Sequence, residues 1–513
     1  MPVSQFGQIN TSALLVPNVY VQIIPPSNQF INGVPTNILG IVGTATWGPV
    51  NSPVVGGTVA QLTAVFGAAQ ARKYDLMTPV NTAALQGANF FKCVRVTDGT
   101  DTAAAVTVLS NCIVFTSKYT GSFGSGISVT LSAGSKAATQ KVVVGAPGLV
   151  PEVFDNIGAN LNGNALWVAI AAAVNAGSSI IRGPSQIITA TAGAGTTTPA
   201  AATYPLVGGT DGTSTITGAT LVGADTLPRA GMYALRNSQA SVAMLSDCDD
   251  STTYSTQVAY GLSEGTYMIM TTPAGDVINT AITNKASAGV DSYAAKLMFG
   301  DWVYWADPVN GLRLVSPQGY VAGFLSNASP QIGALNQQLQ GIAGTQKTNA
   351  NQVYAMADLQ LLSQAGIDCI TNPSPGGSYF SCFLGHNTSS NAVISGDSYT
   401  RLTNYIAFTL NAGMGQFIGQ VNNPAVQATA LATLSAFFDT LWDQGLIGNP
   451  NSSQAVPYNI NLSASNNPLA REALGYLQAD IQVEYYPIIE KLLLNVMGGS
   501  SVQITRQGVT LVS

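Results

Sequence analysis

Ile38-Leu39-Gly40-Ile41-Val42-Gly43 is a continuous apolar run, the pattern of a strand buried on both faces. Downstream, Thr78 to Phe91 places Val80, Ala84, Leu85, Ala88 and Phe91 on one helical face. Phe91-Lys92-Cys93-Val94-Arg95-Val96 then reads as a second strand. Strand, helix and strand over this length predict an α/β layer.

Upstream, Val19, Val21 and Ile23 alternate with Tyr20, Gln22 and Ile24 and stop at Pro25-Pro26, so residues 1–25 read as an extended arm and 26–97 as a first core segment. After Thr97 the chain turns rich in Thr, Ala, Gly and Ser, with short strands such as Ile127 to Leu131 and Lys141 to Val144. The helix around Trp167, from Ala165 to Ala176, is the main exception, and Thr189 to Ala202 is close to low complexity, with little to pack. Residues 98–226 therefore read as an inserted β-rich domain, with a set of long surface loops as the alternative. Helix and strand alternation returns over 227–497. Asp358 to Leu362 leads through Gly366, a predicted helix C-cap, into a strand at Ile367 to Ile370. Tyr399 to Met414 is helical in pattern, and Ala425 to Trp442 carries a wide stripe of Val426, Leu431, Leu434, Phe437, Phe438, Leu441 and Trp442.

At the carboxyl end Ile481, Val483 and Tyr485 alternate with polar residues up to Pro487, and Ile488 to Val496 is a second apolar segment. Gly498-Gly499-Ser500-Ser501 is a flexible link. Beyond it Val502 and Ile504 keep one strand phase while Val509 and Leu511 keep the other, which a bulge or turn at Gly508 explains. A tail this short cannot bury itself, so residues 498–513 read as a second arm awaiting a partner.

Composition narrows the function classes. A chain of 513 residues exceeds one growing core, so two to four domains are expected. Only 8% of residues are charged, against roughly a quarter in ordinary soluble proteins, while 46% are hydrophobic. A subunit packed against its own copies needs few charges, because interface cores are depleted of them. A secreted Thr/Ser/Gly-rich β protein, solvated by hydroxyls, is the competing explanation. The net charge of −6 with no Lys/Arg run argues against direct nucleic-acid binding. No signal-peptide pattern opens the chain, and no apolar stretch is long enough for membrane insertion. The cysteines Cys93, Cys112, Cys248, Cys369 and Cys382 are odd in number and widely spaced, as expected of reduced, mostly buried thiols rather than a disulfide framework.

Catalytic patterns are scarce. One histidine, His386, removes the usual Ser-His-Asp, Cys-His and multi-His arrangements and reads as a loop or core imidazole. Gly121-Ser122-Phe123-Gly124-Ser125-Gly126 lacks the P-loop lysine and reads as a turn. Asp247, Asp249 and Asp250 lack EF-hand spacing and read as a cap or loop. No catalytic, cofactor or metal site is expected.

The ordered blocks resemble one family. Pro17-Asn18-Val19-Tyr20-Val21 resembles the Pro-Gly-Val-Tyr-Val opening of contractile phage tail sheath proteins, with Asn in place of Gly. Gly33-Val34-Pro35-Thr36, Gly43-Thr44-Ala45, Gly48-Pro49-Val50, Pro53 and Phe66-Gly67 are similar to the block that follows, and Cys93-Val94-Arg95-Val96 to the strand after its first helix. Ser117-Lys118-Tyr119, Gly121 to Gly124 and Ile127-Ser128-Val129 resemble a Tyr-Pro-Gly segment of the inserted domain, with Thr120 replacing Pro. Leu206, Gly208-Gly209 and Asp211-Gly212 resemble its closing turn, and Asn466-Asn467-Pro468, Gly475 and Leu477 the block before the last strands. Each motif is a mere turn or strand; their order and spacing from residue 17 to about 496 carry the resemblance.

The resemblance implies an α/β (α+β) sheath core built from amino- and carboxyl-terminal segments, with the inserted β-rich domain pointing outward and extended terminal strand arms. Val19, Val21, Ile23, Val502, Ile504, Val509 and Leu511 would be the inter-subunit arms, adding strands to a neighbour's sheet beside Ile481, Val483 and Tyr485. It also implies a non-enzymatic subunit of a helical sheath of stacked hexameric rings, with the tail tube, baseplate and tail terminator proteins as further partners. Such a subunit is made in the bacterial host cytoplasm and resides in the virion tail, where contraction drives the tube through an envelope. A tailocin or other contractile injection system remains open on sequence, as does a surface-layer or adhesin-like β protein; a hydrolase of unfamiliar type ranks behind both.

Overall fold

A computed structural model describes residues 3–6, 20–23, 31, 33–179, 182–449, 456–494 and 496. The chain divides into two compact units, one of residues 35–405 and one of residues 1–34 with 406–513.

The larger unit is organised by a six-stranded sheet in the order Ala295–Met298, Tyr267–Thr271, Val242–Leu245, Leu39–Gly43, Phe91–Arg95, Val54–Gly56. All neighbours run parallel except the edge strand Val54–Gly56. Leu39–Gly43 is the middle of the path: the chain goes first to the edge strand Val54–Gly56, comes back to Phe91–Arg95 beside it, and then crosses to Val242–Leu245 on the other side. Every residue of Leu39–Gly43 is buried, because helices cover both faces. Leu39 and Ile41 pack with Phe66, Val80 and Tyr320, from helices Val59–Phe66, Met77–Ala84 and Gln318–Asn327. Val42 points the other way with Leu245, Met270 and Leu297, against Tyr254, Tyr260 and Leu362 from helices Tyr254–Glu264 and Met356–Ala365. Gly323 lets two helices of the first layer touch: an added Cβ would lie 2.4 Å from the Cα of Ala83.

The helix expected over Thr78 to Phe91 is shorter, Met77–Ala84. Gly87 turns the chain at φ +92°, the Gln86 backbone N–H tightens back onto Ala83 O at 2.9 Å, and the Gln86 side-chain amide donates to the Gln340 carbonyl. Helix Met356–Ala365 does end on Gly366 in the left-handed conformation, but the strand after it is only Ile370–Thr371, paired with Ser381–Cys382.

In doubly wound sheets, ligands bind where the path reverses, here beyond Gly43 and Leu245. Residues 74–76 fill that crevice. Thr44 N–H donates to Tyr74 O at 2.7 Å and Leu76 N–H to Thr44 O at 2.8 Å. Two carboxyls are buried there, Asp75 and Asp247. Burial pushes Asp247 up to about 7, aided by Asp75 and opposed by Arg313. Burial likewise pushes Asp75 up to about 6, against the Thr78 hydroxyl and Arg72.

Residues 103–206 form two further antiparallel sheets. One has the order Ile188–Ala192, Ile113–Thr120, Ala103–Val108; the other runs Glu152–Ile157, Gln140–Gly145, Ser128–Ala133, Ala202–Pro205. With helix Gly163–Ala176 they enclose their own core around Phe115, Val144, Phe154 and Trp167. The small-residue stretch Thr189 to Ala202 is tied down after all, since the Trp167 indole donates to Thr197 O at 2.9 Å. Trp47, from the loop after the central strand, enters this core and meets Tyr119 and Phe123 at 5.4 and 5.3 Å between rings. Arg95, fully buried at the end of its strand, donates to Gly48 O at 2.8 Å and Thr120 O at 2.7 Å. Leu221 and Val222, in the short helix Gly218–Val222, pack instead against the central sheet.

Candidate inter-subunit surface

The second unit is built on a helix. Asn423 caps helix Pro424–Asp443, its side chain accepting the Val426 N–H at 2.9 Å, and Pro424 takes the first position, where no N–H is needed. Its buried stripe is Ala430, Thr433, Leu434, Phe437, Phe438 and Leu441. Leu431 and Trp442, expected in that stripe, are exposed instead. Against the helix lies a two-stranded antiparallel sheet of Tyr458–Asn461 and Asp480–Val483, in register Tyr458↔Val483 and Ile460↔Ile481. Tyr458 fastens it: its ring lies 5.3 Å from Phe438, and its hydroxyl donates to Asp439 Oδ1 at 2.6 Å. Asn467 closes the connection between the strands, accepting Gln478 N–H at 2.7 Å and donating to Gln478 O at 2.8 Å.

Two strands make a marginal sheet, and among the described residues no further strand covers the outer edge of either. The chain that follows leaves apolar side chains in water. Ile489, Leu492, Leu493, Leu494 and Val496 are all exposed, Leu493 by 83% and Val496 by 90%. Leu469, Leu474 and Tyr476 add to the exposed apolar surface of this unit. Such a concentration marks a surface meant to be covered.

Ile481 and Val483 lie in Asp480–Val483, whereas Tyr485 falls beyond its end. Val21 and Ile23 lie in the strand Tyr20–Ile23, which pairs in parallel with Val3–Phe6. The reading of residues 1–25 as one extended arm did not include this local pairing, because the four residues Val3–Phe6 carry too little periodicity to mark a strand. Val19, Val502, Ile504, Val509 and Leu511 lie outside the described residues. The partner strand Tyr458–Asn461 was also missed, although Tyr458 and Ile460 alternate with asparagines.

The densest buried charge cluster belongs to the larger unit. Lys296, Asp368 and Asp397 are fully buried, with the ammonium 2.6 Å from Asp368 and 3.1 Å from Asp397. The backbone carbonyl of His386 accepts from the same ammonium at 3.0 Å. Asp397 also accepts the Tyr267 hydroxyl at 2.5 Å and the Ala334 N–H at 3.0 Å, and Asp368 accepts the N–H groups of Cys369, Leu384 and Gly385. Burial alone would lower the Lys296 pKa, but Asp368 and Asp397 more than reverse it and hold it raised. Asp397 is held low, burial being outweighed by Lys296 and the Tyr267 hydroxyl. Closed on every side and hydrogen-bonded throughout, the cluster clasps the start of helix Asp397–Met414 to the strand Ala295–Met298. Among the described residues, no three His, Cys, Asp or Glu side chains converge as a metal site would require. The free thiols Cys93, Cys112, Cys248, Cys369 and Cys382 are all buried. No helix among the described residues is long and apolar enough to cross a membrane.

No family model matches the sequence, and no curated protein does. Solved structures do match. The sheath tail protein of Listeria innocua superposes with a TM-score of 0.59 at 14% identity, over 85% of this chain and 90% of that one. The sheath tail protein of Desulfitobacterium hafniense gives 0.56 at 16% identity, over 86% and 93%. This is the contractile tail sheath fold. The helical sheath of the anti-feeding prophage in its contracted state shares it, with a TM-score of 0.54 at 11% identity over 94% of this chain and 99% of that one. In this sheath fold the mixed α/β architecture survives with few residues in common, so burial pattern and topology, not individual side chains, carry the likeness.

Proposed function

We propose that this chain is the sheath subunit of a contractile phage tail, polymerising helically around a tail tube and shortening to drive that tube through a host envelope. The observation that carries the reading is an open-edged, two-stranded sheet beside exposed apolar chain, on a sheath fold. Such edges accept added strands. The partners would be further copies of the chain, the tube, the baseplate and the tail terminator, in a virion tail put together in the host cytoplasm. The arms 1–25 and 498–513 would supply the added strands, with Val19, Val21 and Ile23 in one and Val502, Ile504, Val509 and Leu511 in the other. Arg506 sits in the second arm, while Asp480 and Glu484 flank the acceptor strand, so opposite charges would meet. An arm gains about five ladder bonds at roughly 1 kcal/mol each. Ordering some ten residues offsets much of that, so a single joint is marginal. Many joints on a closed helix hold through effective concentration. Weak, exchangeable joints suit a sheath whose subunits re-pack between two arrangements while staying connected. The β-rich part of the inserted segment, residues 103–206, would face outward.

Removing residues 499–513 tests this. A folded, soluble subunit that no longer forms tubes by negative-stain microscopy is expected; ordinary tubes from the truncated chain would refute arm weaving. A second reading, the sheath of a headless injection machine, is favoured by the fuller coverage of the anti-feeding prophage sheath, 94% of this chain. An image of the native particle, with or without a DNA-filled head, separates the two.

A further inference from the structure

Tyr20–Ile23 pairs with Val3–Phe6 in the register Val3↔Tyr20, Ser4↔Val21, Gln5↔Gln22, Phe6↔Ile23. Among the described residues, the two strands form a sheet by themselves. About thirteen residues connect them, close to the shortest span that a parallel crossover allows. Backbone groups of a strand point alternately to its two edges, so this ladder satisfies one edge of Tyr20–Ile23 and, among the described residues, leaves the other open. A four-residue, two-stranded ladder is weak and readily exchanged.

The sequence around it explains the use of such a pairing. Exposed strand edges are ordinarily protected by charged side chains, lysine above all. Residues 1–30 contain no Asp, Glu, Lys or Arg. An arm without charges has lost the usual protection against pairing with the wrong edge, and a covering strand can replace it.

We propose that Val3–Phe6 is a guard strand, occupying one edge of Tyr20–Ile23 in the free subunit and yielding that edge to a second copy of this chain during assembly. The inference rests on the arm reading above. Because the guard is tethered to the strand it covers, its effective concentration exceeds that of any neighbour in dilute solution. Pairing with a neighbour then wins only where many subunits are already ordered at a growing end, which restricts arm exchange to that end.

The test uses the full chain with Ser4→Pro and Gln5→Pro together. Neighbouring residues of a parallel strand face opposite edges, so one of the two prolines removes a ladder donor wherever the register starts. Amide exchange at Val21 to Ile23 in dissociated subunits should speed up at least tenfold. Tubes should appear after a lag at least threefold shorter, with an unchanged melting temperature. Unaltered amide protection overturns the guard pairing. Lost protection with an unchanged or longer lag overturns its role in assembly, the longer lag showing that Val3–Phe6 belongs to the joint itself. Removing residues 2–24 separates this from the arm reading. Loss of tubes in that deletion with no effect of the prolines defeats the guard alone, whereas normal tubes from the deletion defeat the arm and the guard together.

Discussion

Lys296→Met should destabilise the larger unit by about 3–5 kcal/mol near neutral pH, the range for removing one partner of a buried ion cluster. Methionine keeps the length and loses the charge, so packing changes little. What changes is the balance around two fully buried carboxyls that share one ammonium at 2.6 and 3.1 Å. At an effective dielectric of about 20, each contact at ~3 Å amounts to roughly 5 kcal/mol of attraction, most of it spent on desolvation. With the ammonium gone the desolvation remains, and one carboxyl must take up a proton. That proton is bound by the folded state and not by the unfolded one at pH 7, so its uptake is part of the cost. The sign follows from the same linkage. In wild type the Asp397 pKa is held low, so its contribution is present above the unfolded value and is lost as pH falls through the folded one. In the variant the surviving carboxyls are pushed up, so their penalty is absent at acid pH and grows as pH rises. The gap between the two proteins should therefore narrow from pH 7.5 to pH 4.5. Urea unfolding of dissociated subunits, followed by tryptophan fluorescence and circular dichroism, measures it. Adding Asp397→Asn to the variant should recover at least 1 kcal/mol at pH 7.5. A loss under 1 kcal/mol at pH 7.5, or a gap that widens with acid, would refute the clasp.

Two further outcomes are expected. Asp247→Asn should raise stability at pH 8 and leave it nearly unchanged at pH 4. The folded carboxyl is pushed up to about 7, so the wild-type contribution is full below the unfolded value near 3.8 and is lost as pH rises through about 7. The shift sets a ceiling of about 4 kcal/mol. A gain of 1–3 is expected, because Asn tolerates the left-handed φ of +50° at this position; equal pH slopes in melting of the two proteins would exclude it. Replacing residues 103–206 by a short Gly/Ser bridge, together with Trp47→Ser, should give a soluble subunit that still forms tubes under the electron microscope. Extending the cut to residue 226 should cause aggregation, since it also removes Leu221 and Val222 from the face of the central sheet. Soluble, tube-forming protein from the longer cut would show that those two contacts are dispensable.

Elements whose burial is written into their own residue pattern were legible before any contact was known. Ile38 to Gly43 reads as a strand covered on both faces and is one, and the stripe from Val426 to Trp442 reads as an amphipathic helix and is one, although Leu431 and Trp442 at its margins stay exposed. The early end of helix Met77–Ala84 was less legible, because Leu85 and Ala88 keep the helical spacing while Gly87 breaks it. The acceptor strand was half legible: Ile481 and Val483 alternate, but nothing local says that Tyr458–Asn461 lies beside them. Pairing is a long-range choice, made by the Tyr458 anchor on Phe438 and Asp439 and by the Asn467 closure. Only the tertiary structure could bring Lys296, Asp368 and Asp397 together, since three isolated charges on three elements look like surface residues until the fold buries them. The same holds for Trp47 and Arg95, which read as a loop and a strand end yet bind the central sheet to the β-rich sheets. Local pattern fixes which face an element buries; which partner it buries that face against depends on contacts between residues far apart in sequence, 101 positions for Lys296 and Asp397, and no periodicity records those.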